Sequence, residues 1–578
     1  MRKSDRLYRC ESRRTVAAIV LLCVIAATTV GCGSDGASSG GSNTFRLNIN
    51  SEPNSFDPIK ISQQASWWIG SQIYEGLVSL DANLKIGGGL AESWTIADDG
   101  TAITFVLRED ARFADDPCFP EGKGRAVTAE DVRYSFERVA TPGKSSGYWV
   151  FRDKVDGINA LYDARQANPD APSVEQVSGF EVVDERTFRI RLTEPYAPFL
   201  YLLTTPFCYI APREAIEHYG EEFTRNPVGT GPFRLAEWSA GTNIALVRNE
   251  NYGRSDEAGT SLPYLDSVWV SFIGDPGTEF AEFEAGNLDL LTAISPIFAE
   301  RLLSEDGSSL ADESIGYVMH AKSGMSIEYY GFTVDPKAPI AATSPFDDNV
   351  HLRRAMNYAI DRESITQYVL KGQAAPAFHG PIPPQTPGFS KIKGYTYDPD
   401  RAVAELDSAG YPGGEGLGTF EIQVSNNPQT ASVAERVQDD LKKVGFDVEI
   451  KQTEHRVHLD ESDRGEVAIW RTSWLADYPH AENFMANFYS PYKKPAGPNR
   501  SRYENPAFDA LYKAALRPGL TEEEQTKIWA DAERIVLDDA PWIFLYYSVV
   551  RHLTQPWVEG YAVSPLQTFD LSRVRIAG

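Results

Sequence analysis

Residues 91–116, AESWTIADDGTAITFVLREDARFADD, contain the clearest strand signal in the chain. Residues 98–100, Asp-Asp-Gly, separate two short stretches of β-type sequence, and an acid–glycine pair favours the tight turn of a β-hairpin. In the second stretch Ile103, Phe105 and Leu107 alternate with other residues. This alternation is typical of a half-buried strand, because successive side chains point to opposite faces of a sheet.

A helix is predicted directly after this hairpin, over residues 127–139, VTAEDVRYSFERV. Thr128 is suited to the N-cap and Asp131 occupies the third helical position, which is a capping-box arrangement. Val132 and Phe136 then lie four residues apart and share one apolar face. The segment therefore predicts an amphipathic helix.

Strand and helix signals continue to alternate towards the C-terminus. A strand over 419–425, a helix over 431–444 and a strand over 446–451 predict a βαβ unit with parallel pairing. Residues 45–50 predict another strand, and 350–362 predict an amphipathic helix. The chain is therefore expected to be α/β with two or three domains, as its 578 residues also suggest.

The bulk composition is that of a globular protein, with 42% hydrophobic and 24% charged residues. The formal net charge is −26. A surface of this sign repels nucleic acids and anionic lipid headgroups, so nucleic-acid binding is not expected. After the N-terminal region, no apolar run approaches the ~20 residues needed to span a bilayer.

The N-terminal region has the pattern of an export signal. Arg13 and Arg14 precede an uncharged run over 15–30, which ends in Gly31-Cys32. A cysteine after a small residue at this point resembles the lipobox of bacterial lipoproteins, so we expect cleavage after residue 31 and acylation of Cys32. A retained membrane helix is the alternative, but the run is short for it.

Two cysteines, Cys118 and Cys208, lie in the body of the chain. An even pair outside the cytoplasm favours a disulfide, with two separate buried thiols as the alternative. Neither cysteine belongs to a metal-type Cys/His spacing, so no metal or other cofactor is expected.

Several segments together resemble the family-5 solute-binding proteins of bacterial ABC importers, of the oligopeptide- and dipeptide-binding type. The resemblance runs from about residue 44 to about residue 560. The segments, besides 91–116 and 127–139, are SEPNSFDP from Ser51, NPVGTGPFRLAEW from Asn226, FEAGNLDLL from Phe283, VHLRRAMNYAIDRE from Val350 and SWLADYPHAENF from Ser473. Each motif is weak alone, but their common order makes the resemblance strong.

The resemblance implies a two-lobed, periplasmic-binding-protein-like α/β fold (class II, cluster C type) with an extra domain in the first lobe. Two strands would cross between the lobes and form a hinge. The bounds expected by analogy are a lipoprotein signal peptide over 1–31, a flexible tether over 32–43, the first-lobe base over 44–78 and 206–315, the extra domain over 79–205, the second lobe over 316–545 and a C-terminal return to the first lobe over 546–578.

The resemblance also implies ligand-binding residues in RTSWLADY, residues 471–478. In peptide-binding members the matching aspartate, here Asp477, pairs with the peptide's α-ammonium, and the matching arginine, here Arg471, can meet its α-carboxylate. A buried ammonium needs such a partner, and a guanidinium suits a carboxylate. Trp474 and Tyr478 would cover side chains. The alternative is that Asp477 caps the helix starting near residue 481.

Further cleft residues are implied in the first lobe. Tyr148 and Trp149 occupy the place of an aromatic side chain over the ligand, with a role in the core as the alternative. Residues 62–64, Ser-Gln-Gln, would also face the cleft but contribute no charge.

The expected function is therefore binding by hinge closure, without catalysis. The ligand would be an oligopeptide, delivered to ABC permease subunits with a separate ATPase by a monomeric, extracytoplasmic protein anchored to the cell membrane through its N-terminal lipid. An oligosaccharide or another solute is the alternative ligand. An extracellular hydrolase and a structural or signalling lipoprotein are alternatives of other classes.

Overall fold

The computed structural model describes residues 43–81 and 83–577. The predicted signal peptide, Cys32 and the tether up to residue 42 lie outside these residues. Among the helices of the described ranges, none combines the length and the apolar character needed to cross a membrane.

Strands and helices alternate along the described chain, which confirms the predicted α/β class. The strands are β1 (Thr44–Asn48), β2 (Val78–Leu80), β3 (Ile86–Gly88), β4 (Ala91–Ile96), β5 (Ala102–Leu107), β6 (Phe180–Val182), β7 (Thr187–Arg191), β8 (Phe233–Ser239), β9 (Asn243–Arg248), β10 (Ser267–Ser271), β11 (Leu290–Leu291), β12 (Val318–Phe332), β13 (Ala374–Pro376), β14 (Thr419–Ser425), β15 (Asp447–Thr453), β16 (Ile469–Leu475), β17 (Trp542–Thr554), β18 (Val558–Glu559) and β19 (Arg575–Ile576).

The α-helices are α1 (Gln64–Ile73), α2 (Ala129–Val139), α3 (Ile158–Ala167), α4 (Phe199–Leu202), α5 (Arg213–Tyr219), α6 (Pro276–Glu284), α7 (Pro296–Leu302), α8 (Val350–Ala359), α9 (Arg362–Ser364), α10 (Pro399–Ser408), α11 (Pro428–Lys443), α12 (His455–Arg464), α13 (Ala481–Met485), α14 (Pro506–Ala515) and α15 (Glu522–Asp539). Short 3-10 turns connect many of them, including Tyr148–Val150.

One eleven-stranded sheet runs through the molecule in the order β15-β14-β16-β12-β17-β11-β1-β10-β9-β8, with β13 added to β17. The strands from β11 to β8 come from the first half of the chain, and those from β15 to β12 come from the second half. Strand β17 joins the two groups, because it pairs antiparallel with β11 at one end and with β12 along its length.

Strands β12 and β17 have the arrangement expected of a hinge. They pair antiparallel from Val318 opposite Thr554 to Gly331 opposite Trp542, with an irregularity between Ser323 and Ile327. Inside the irregularity, the Met325 amide donates to Pro565 O (3.1 Å) and the Met325 carbonyl accepts from Ala476 N (2.9 Å). The interruption therefore lies where the C-terminal segment and the end of β16 meet.

The predicted hairpin and helix around residue 100 are confirmed. β4 and β5 pair antiparallel with Trp94 opposite Phe105, and Gly100 in the turn has a φ of 70°. Such a left-handed φ favours glycine. Helix α2 has Thr128 as its N-cap, and the Thr128 amide donates to Asp131 Oδ2 (2.9 Å), as in a capping box.

A separate four-stranded antiparallel sheet, β4-β5-β7-β6, is covered by α2. The Phe136 ring on α2 packs against the rings of Phe151, Phe180 and Phe188 at centroid distances of 5.0 to 6.0 Å. This sheet lies entirely within the predicted extra domain, 79–205. The bounds of the lobes and of that domain stay a prediction.

The predicted βαβ unit is also confirmed, because β14 and β15 pair in parallel on either side of α11. The helix predicted over 350–362 is wrong at its end. α8 stops at Ala359, and the backbone of Ile360 is extended. The reason is Arg362, whose buried guanidinium donates to the carbonyls of Asn357 (2.9 Å) and of Phe544 on β17 and so holds the turn between α8 and α9.

The predicted disulfide between Cys118 and Cys208 is wrong, because both are free thiols. Each cysteine is held by its own surroundings. Cys208 is fully buried in the core with its thiol donating to Leu202 O (3.6 Å), whereas the Cys118 amide donates to Asp116 Oδ1 (2.9 Å) in a half-buried turn. An even number of cysteines is a necessary condition for a disulfide and not a sufficient one.

Candidate functional site

The candidate site lies around the segment that links β16 to α13. The side-chain amide of Asn483 forms hydrogen bonds with two residues of this site. The Asn483 Oδ1 atom accepts hydrogen bonds from Trp474 Nε1 (3.0 Å) and from the Asp477 amide (3.2 Å). The Asn483 Nδ2 group in turn donates to Asp477 Oδ2 (3.3 Å). Asn483 therefore fixes the orientation of both predicted ligand residues, although it was not itself predicted.

Asp477 is an exposed residue just beyond the end of β16. Its side chain is exposed to solvent, yet the pKa of its carboxyl is raised to about 6, chiefly because the surrounding protein desolvates it. Nearby Glu482 raises it further, while the hydrogen bond from Asn483 opposes the shift. Within the described residues, no cationic side chain lies within ion-pair distance of Asp477.

Asp477 does not cap the following helix. The N-cap of α13 is His480, whose Nδ1 accepts from the Glu482 amide (3.0 Å). His480 is buried, and burial lowers its pKa to about 4, with a hydrogen bond to Gln525 opposing the shift. The carboxylate of Asp477 is therefore left available for another partner.

Aromatic side chains from distant parts of the chain meet at this segment. The Trp149 and Tyr478 rings lie 6.5 Å apart at an angle of 20°, and the Tyr201 and His480 rings lie 5.6 Å apart. The first member of each pair belongs to the predicted extra domain and the second to the predicted second lobe. The structure thus brings Trp149, Tyr478 and the Asp477 segment together across the gap between the lobes.

Tyr148 is engaged inside its own domain. Its ring stacks on Tyr162 with a centroid distance of 3.9 Å, and its hydroxyl donates to Asn159 Oδ1 (2.8 Å). The nearby residues 62–64 are exposed, and the Gln64 side chain donates to Gln567 Oε1 (3.0 Å). Neither group contacts the aromatic pair.

Arg471 is already paired inside the protein. Its Nη2 lies 2.5 Å from Glu328 Oε2 on the neighbouring strand β12. Burial raises the pKa of Glu328, and the charge of Arg471 partly offsets that effect. Side chains alternate along a strand, so Arg471 and Trp474 point to opposite faces of β16. The structure therefore does not group Arg471 with Trp474.

A buried acid next to the aromatic pair was missed in the sequence. Glu482 is almost fully buried and accepts hydrogen bonds from the hydroxyls of Tyr478 and Tyr512. Lys154 and Tyr196, from the predicted extra domain, lie close to it. The Lys154 ammonium donates to Trp149 O (3.1 Å), and burial lowers its pKa although Glu482 opposes the shift.

Nothing in the linear sequence identifies this group. Glu482 has the pattern of an acidic residue in the first turn of a helix, where it would be exposed and favourable to the helix dipole. Its neighbours Lys154 and Tyr196 are more than 280 residues away in the chain. Only the fold shows that their charges and hydroxyls meet.

A family model described as bacterial extracellular solute-binding proteins, family 5 Middle, matches residues 85–496. The heme-binding protein A of Haemophilus influenzae is 30% identical over 541 residues, which cover 92% of this chain and 91% of that protein. The oligopeptide-binding protein OppA of Bacillus subtilis is 27% identical and covers 95% of this chain and 96% of its own.

Solved structures share the same architecture. The periplasmic binding protein DppA of Helicobacter pylori, in complex with the peptide STSA, has a TM-score of 0.71 at 26% identity. The match covers 93% of this chain and 98% of that chain. The expected two-lobed periplasmic-binding-protein fold is therefore confirmed.

Proposed function

Because the chain belongs to the bacterial extracellular solute-binding proteins of family 5, we propose that it captures peptides outside the cytoplasm and delivers them to the permease of an ABC importer. It is a binding protein and not an enzyme, so the hydrolase alternative is excluded. ATP would be hydrolysed by a separate subunit of the importer, and this chain would contribute selection of the ligand by closing around it.

The observation that carries the peptide proposal is the carboxylate of Asp477. It is accessible to solvent, has its pKa raised by desolvation and has no cationic partner among the described residues. A carboxylate in such a place is unfavourable when ionised unless a cation joins it. The α-ammonium of a peptide is a cation of suitable size, and the rings of Trp149 and Tyr478 would lie beside the bound chain.

Haem and sugar ligands receive less support from the site. One relative is named a heme-binding protein, but the histidine in the site segment, His480, uses Nδ1 to cap α13 and hydrogen-bonds to Gln525. It is therefore engaged and buried, and not placed to bind iron. Aromatic rings would suit a sugar as well as a peptide, but an unpaired carboxylate is better matched by an ammonium.

Calorimetry with peptides that carry either a free or an acetylated N-terminus tests this proposal. Asp477→Asn keeps the size of the side chain and removes its charge. Leaving one partner of a desolvated charge pair unpaired typically costs ~3–5 kcal/mol. We therefore expect Asp477→Asn to weaken binding of free peptides about 100- to 4,000-fold, whereas acetylated peptides should bind weakly to both proteins.

Asp400→Asn is the matched control, because Asp400 is an exposed acid on α10, away from the site segment. It should bind peptides like the wild type. Equal affinity for free and acetylated peptides would remove Asp477 from this role. Heat with an oligosaccharide but with no peptide would move the function to the sugar alternative.

We further infer that the protein is a lipoprotein, held at the membrane by an acylated Cys32. The support is the basic, apolar and small-residue pattern that ends in Val30-Gly31-Cys32. Expression of the full gene in a bacterium, followed by detergent phase partition, should place the protein in the detergent phase with residues 1–31 removed. Recovery in the aqueous phase with the signal attached would contradict the inference.

A further inference from the structure

A cavity of about 150 Å³ lies at the foot of the hinge strands. Its lining includes Ile294, Gln373, Val549, Arg551 and Gln567. These residues come from β17, from the segment after β11 and from two loops, so that both predicted lobes contribute. Since a single water molecule needs only ~10–15 Å³ of such space, the cavity has room for a carboxylate group.

Arg551 brings an incompletely satisfied positive charge to this cavity. Its Nε donates to Gly307 O (2.8 Å) and its Nη2 donates to Gly372 O (2.7 Å), while its Nη1 is buried without a hydrogen-bond partner. Among the described residues, no carboxylate lies within ion-pair distance of it. Asp306 is nearby, but its carboxylate accepts hydrogen bonds from Ser308.

A second unpartnered donor lies on the same cavity. The Gln373 Nε2 group is buried and makes no hydrogen bond. An unsatisfied buried donor is unfavourable by roughly 1–3 kcal/mol, and the penalty is larger for a charged group. Two such donors around one cavity, beside apolar walls formed by Ile294 and Val549, are complementary to a negatively charged acceptor that excludes water.

The cavity adjoins the part of the first lobe that was expected to face the ligand. Gln567 lines it and accepts a hydrogen bond from the side chain of Gln64 at the start of α1 (3.0 Å). The backbone of Gln567 has a φ of 57°, and its carbonyl accepts from the Trp68 indole. This unusual backbone conformation holds the C-terminal segment against α1 next to the cavity.

We propose that Arg551 and Gln373 bind a carboxylate of the captured peptide, at the opposite end from Asp477. The proposal rests on the proposed function. Arg471 is poorly suited to this task, because Glu328 already neutralises it at 2.5 Å. The carbonyls that accept from Arg551 belong to loops of the two predicted lobes, so a carboxylate on the unpartnered Nη1 would lie where these loops meet.

Three peptides of one sequence separate the sources of the carboxylate: the free acid, the C-terminal amide, and the amide with a glutamate added at the end. Charged hydrogen bonds contribute enough for the wild type to bind the acid about 10- to 100-fold more tightly than the amide. Arg551→Gln should bring this ratio close to one. A glutamyl amide that binds like the acid would identify a side-chain carboxylate as sufficient.

Gln373→Ala is a second variant that does not disturb the loops, because the Gln373 amide has no partner to lose. It should lower the acid-to-amide ratio several-fold. Arg354→Gln is the matched control, since Arg354 also donates to a backbone carbonyl, Asp538 O (2.7 Å), but does not line this cavity. It should keep the wild-type ratio.

Equal binding of acid and amide by the wild type would overturn the proposal while leaving peptide capture intact. Loss of discrimination in Arg471→Gln together with its retention in Arg551→Gln would assign the carboxylate to Arg471 and overturn it as well. If the wild type binds none of the three peptides, the proposed function itself fails, and this inference fails with it.

Discussion

Individual side chains determine which ligand the cleft can bind. Asn483 uses one amide oxygen for two donors, Trp474 Nε1 and the Asp477 backbone, and its amide nitrogen for the Asp477 carboxylate. The Asp477 carboxylate is thereby oriented before any ligand arrives, which reduces the ordering that binding requires. Because the orientation of the carboxylate is already fixed, the affinity of the site for a cation depends mainly on whether Asp477 is ionised.

Peptide binding should therefore weaken as the pH falls through about 6. The pKa of Asp477 is raised to about 6 in the free protein, and only its ionised form attracts an ammonium. Below that pH the ligand must displace a proton, so affinity should fall by up to about tenfold for each further pH unit. Calorimetry between pH 5 and 8 measures this dependence.

Asp477→Asn is the control for this experiment, because its amide does not titrate. Its weaker affinity should stay constant across the same range. A wild-type affinity that does not change between pH 7 and pH 5 would show that Asp477 is not the titrating partner of the ligand.

Among the secondary-structure elements, strands β12 and β17 carry two histidines that lie opposite each other. His320 on β12 lies opposite His552 on β17, and His552 Nδ1 hydrogen-bonds with the Tyr561 hydroxyl. His552 is 2% exposed, and burial, followed by the charge of His320, lowers its pKa to about 3. An unfolded histidine titrates near 6.5, so the unfolded chain binds the extra proton first as the pH falls.

We expect His552 to contribute to acid sensitivity. A lowered pKa means that stability is present above pH 6.5 and is lost as the pH falls towards 3. By pH 4 this single group should remove about 3 kcal/mol from the free energy of unfolding. His552→Gln should reduce the pH dependence between 7 and 4 by that amount, as measured by urea unfolding.

The variant should also be less stable at pH 7, because it loses the hydrogen bond with Tyr561. The comparison therefore concerns the slope with pH and not the absolute stability. The same slope in His552→Gln and wild type would show that other groups, such as His480 with its pKa lowered to about 4, account for the acid effect.

Gly324 determines how closely β12 can approach β17 at their irregularity. A Cβ atom there would lie 2.2 Å from Ser548 Oγ and 3.2 Å from Val550 Cγ2. Gly324→Ala should therefore force the hinge strands apart and lower stability by about 1–3 kcal/mol, as overpacking does. Thermal unfolding measures the change, and Ser548→Ala in the same chain should restore much of it.

Gly87 on β3 is the matched control, because a Cβ atom at this glycine would meet no atom within 4 Å. Gly87→Ala should change stability by less than about 0.5 kcal/mol. A Gly324→Ala protein as stable as wild type would show that the strands can separate at the bulge without loss.

Sequence reasoning succeeded where the signals are local. The capping residues of α2, the turn at Gly100 and the β14–α11–β15 unit depend on neighbours in the chain, and all three are confirmed. It failed where distant groups decide. Arg362 ends a helix because the Phe544 carbonyl lies beside it, and Cys118 is not linked to Cys208 although their number is even.

The candidate site likewise contains residues that the sequence predicted and residues that only the fold reveals. Asp477 and Trp474 were identified by resemblance, but the amide that orients them and the acid Glu482 beneath Tyr478 depend on how a short loop folds. The pairing of Arg471 with Glu328 likewise depends on the register between β12 and β16, which no local pattern shows.

For the molecule as a whole, closure depends on contacts between the predicted extra domain and the second lobe. A conformation is favoured by a ligand only through interactions that are better in that conformation. The contact of Trp149 with Tyr478 and the approach of Lys154 to Glu482 hold these two regions together. The strength of these contacts therefore influences the equilibrium between open and closed forms on which a ligand acts.

Trp149→Ala should move this equilibrium towards an open form. An aromatic pair contributes roughly 0.5–1.5 kcal/mol beyond its buried area, so we expect peptide affinity to fall by about 2- to 13-fold. Small-angle scattering of the free protein should show a larger radius of gyration. Tyr148→Phe is the control, because the Tyr148 hydroxyl bonds only to Asn159 in its own domain.

An unchanged radius of gyration together with unchanged affinity in Trp149→Ala would contradict a role of this contact in closure. A lower affinity at an unchanged radius would instead indicate that Trp149 contacts the ligand directly.

The eleven-stranded sheet has a thermodynamic consequence for how the protein melts. Because β17 is hydrogen-bonded to β11 and to β12, neither lobe can lose its structure without exposing the strand edge of the other. The described residues, 43–81 and 83–577, also form one compact unit. We therefore expect a single cooperative calorimetric transition, not one for each lobe. A ligand that touches only one lobe would then protect the other from heat and proteases, because both share the same unfolding event.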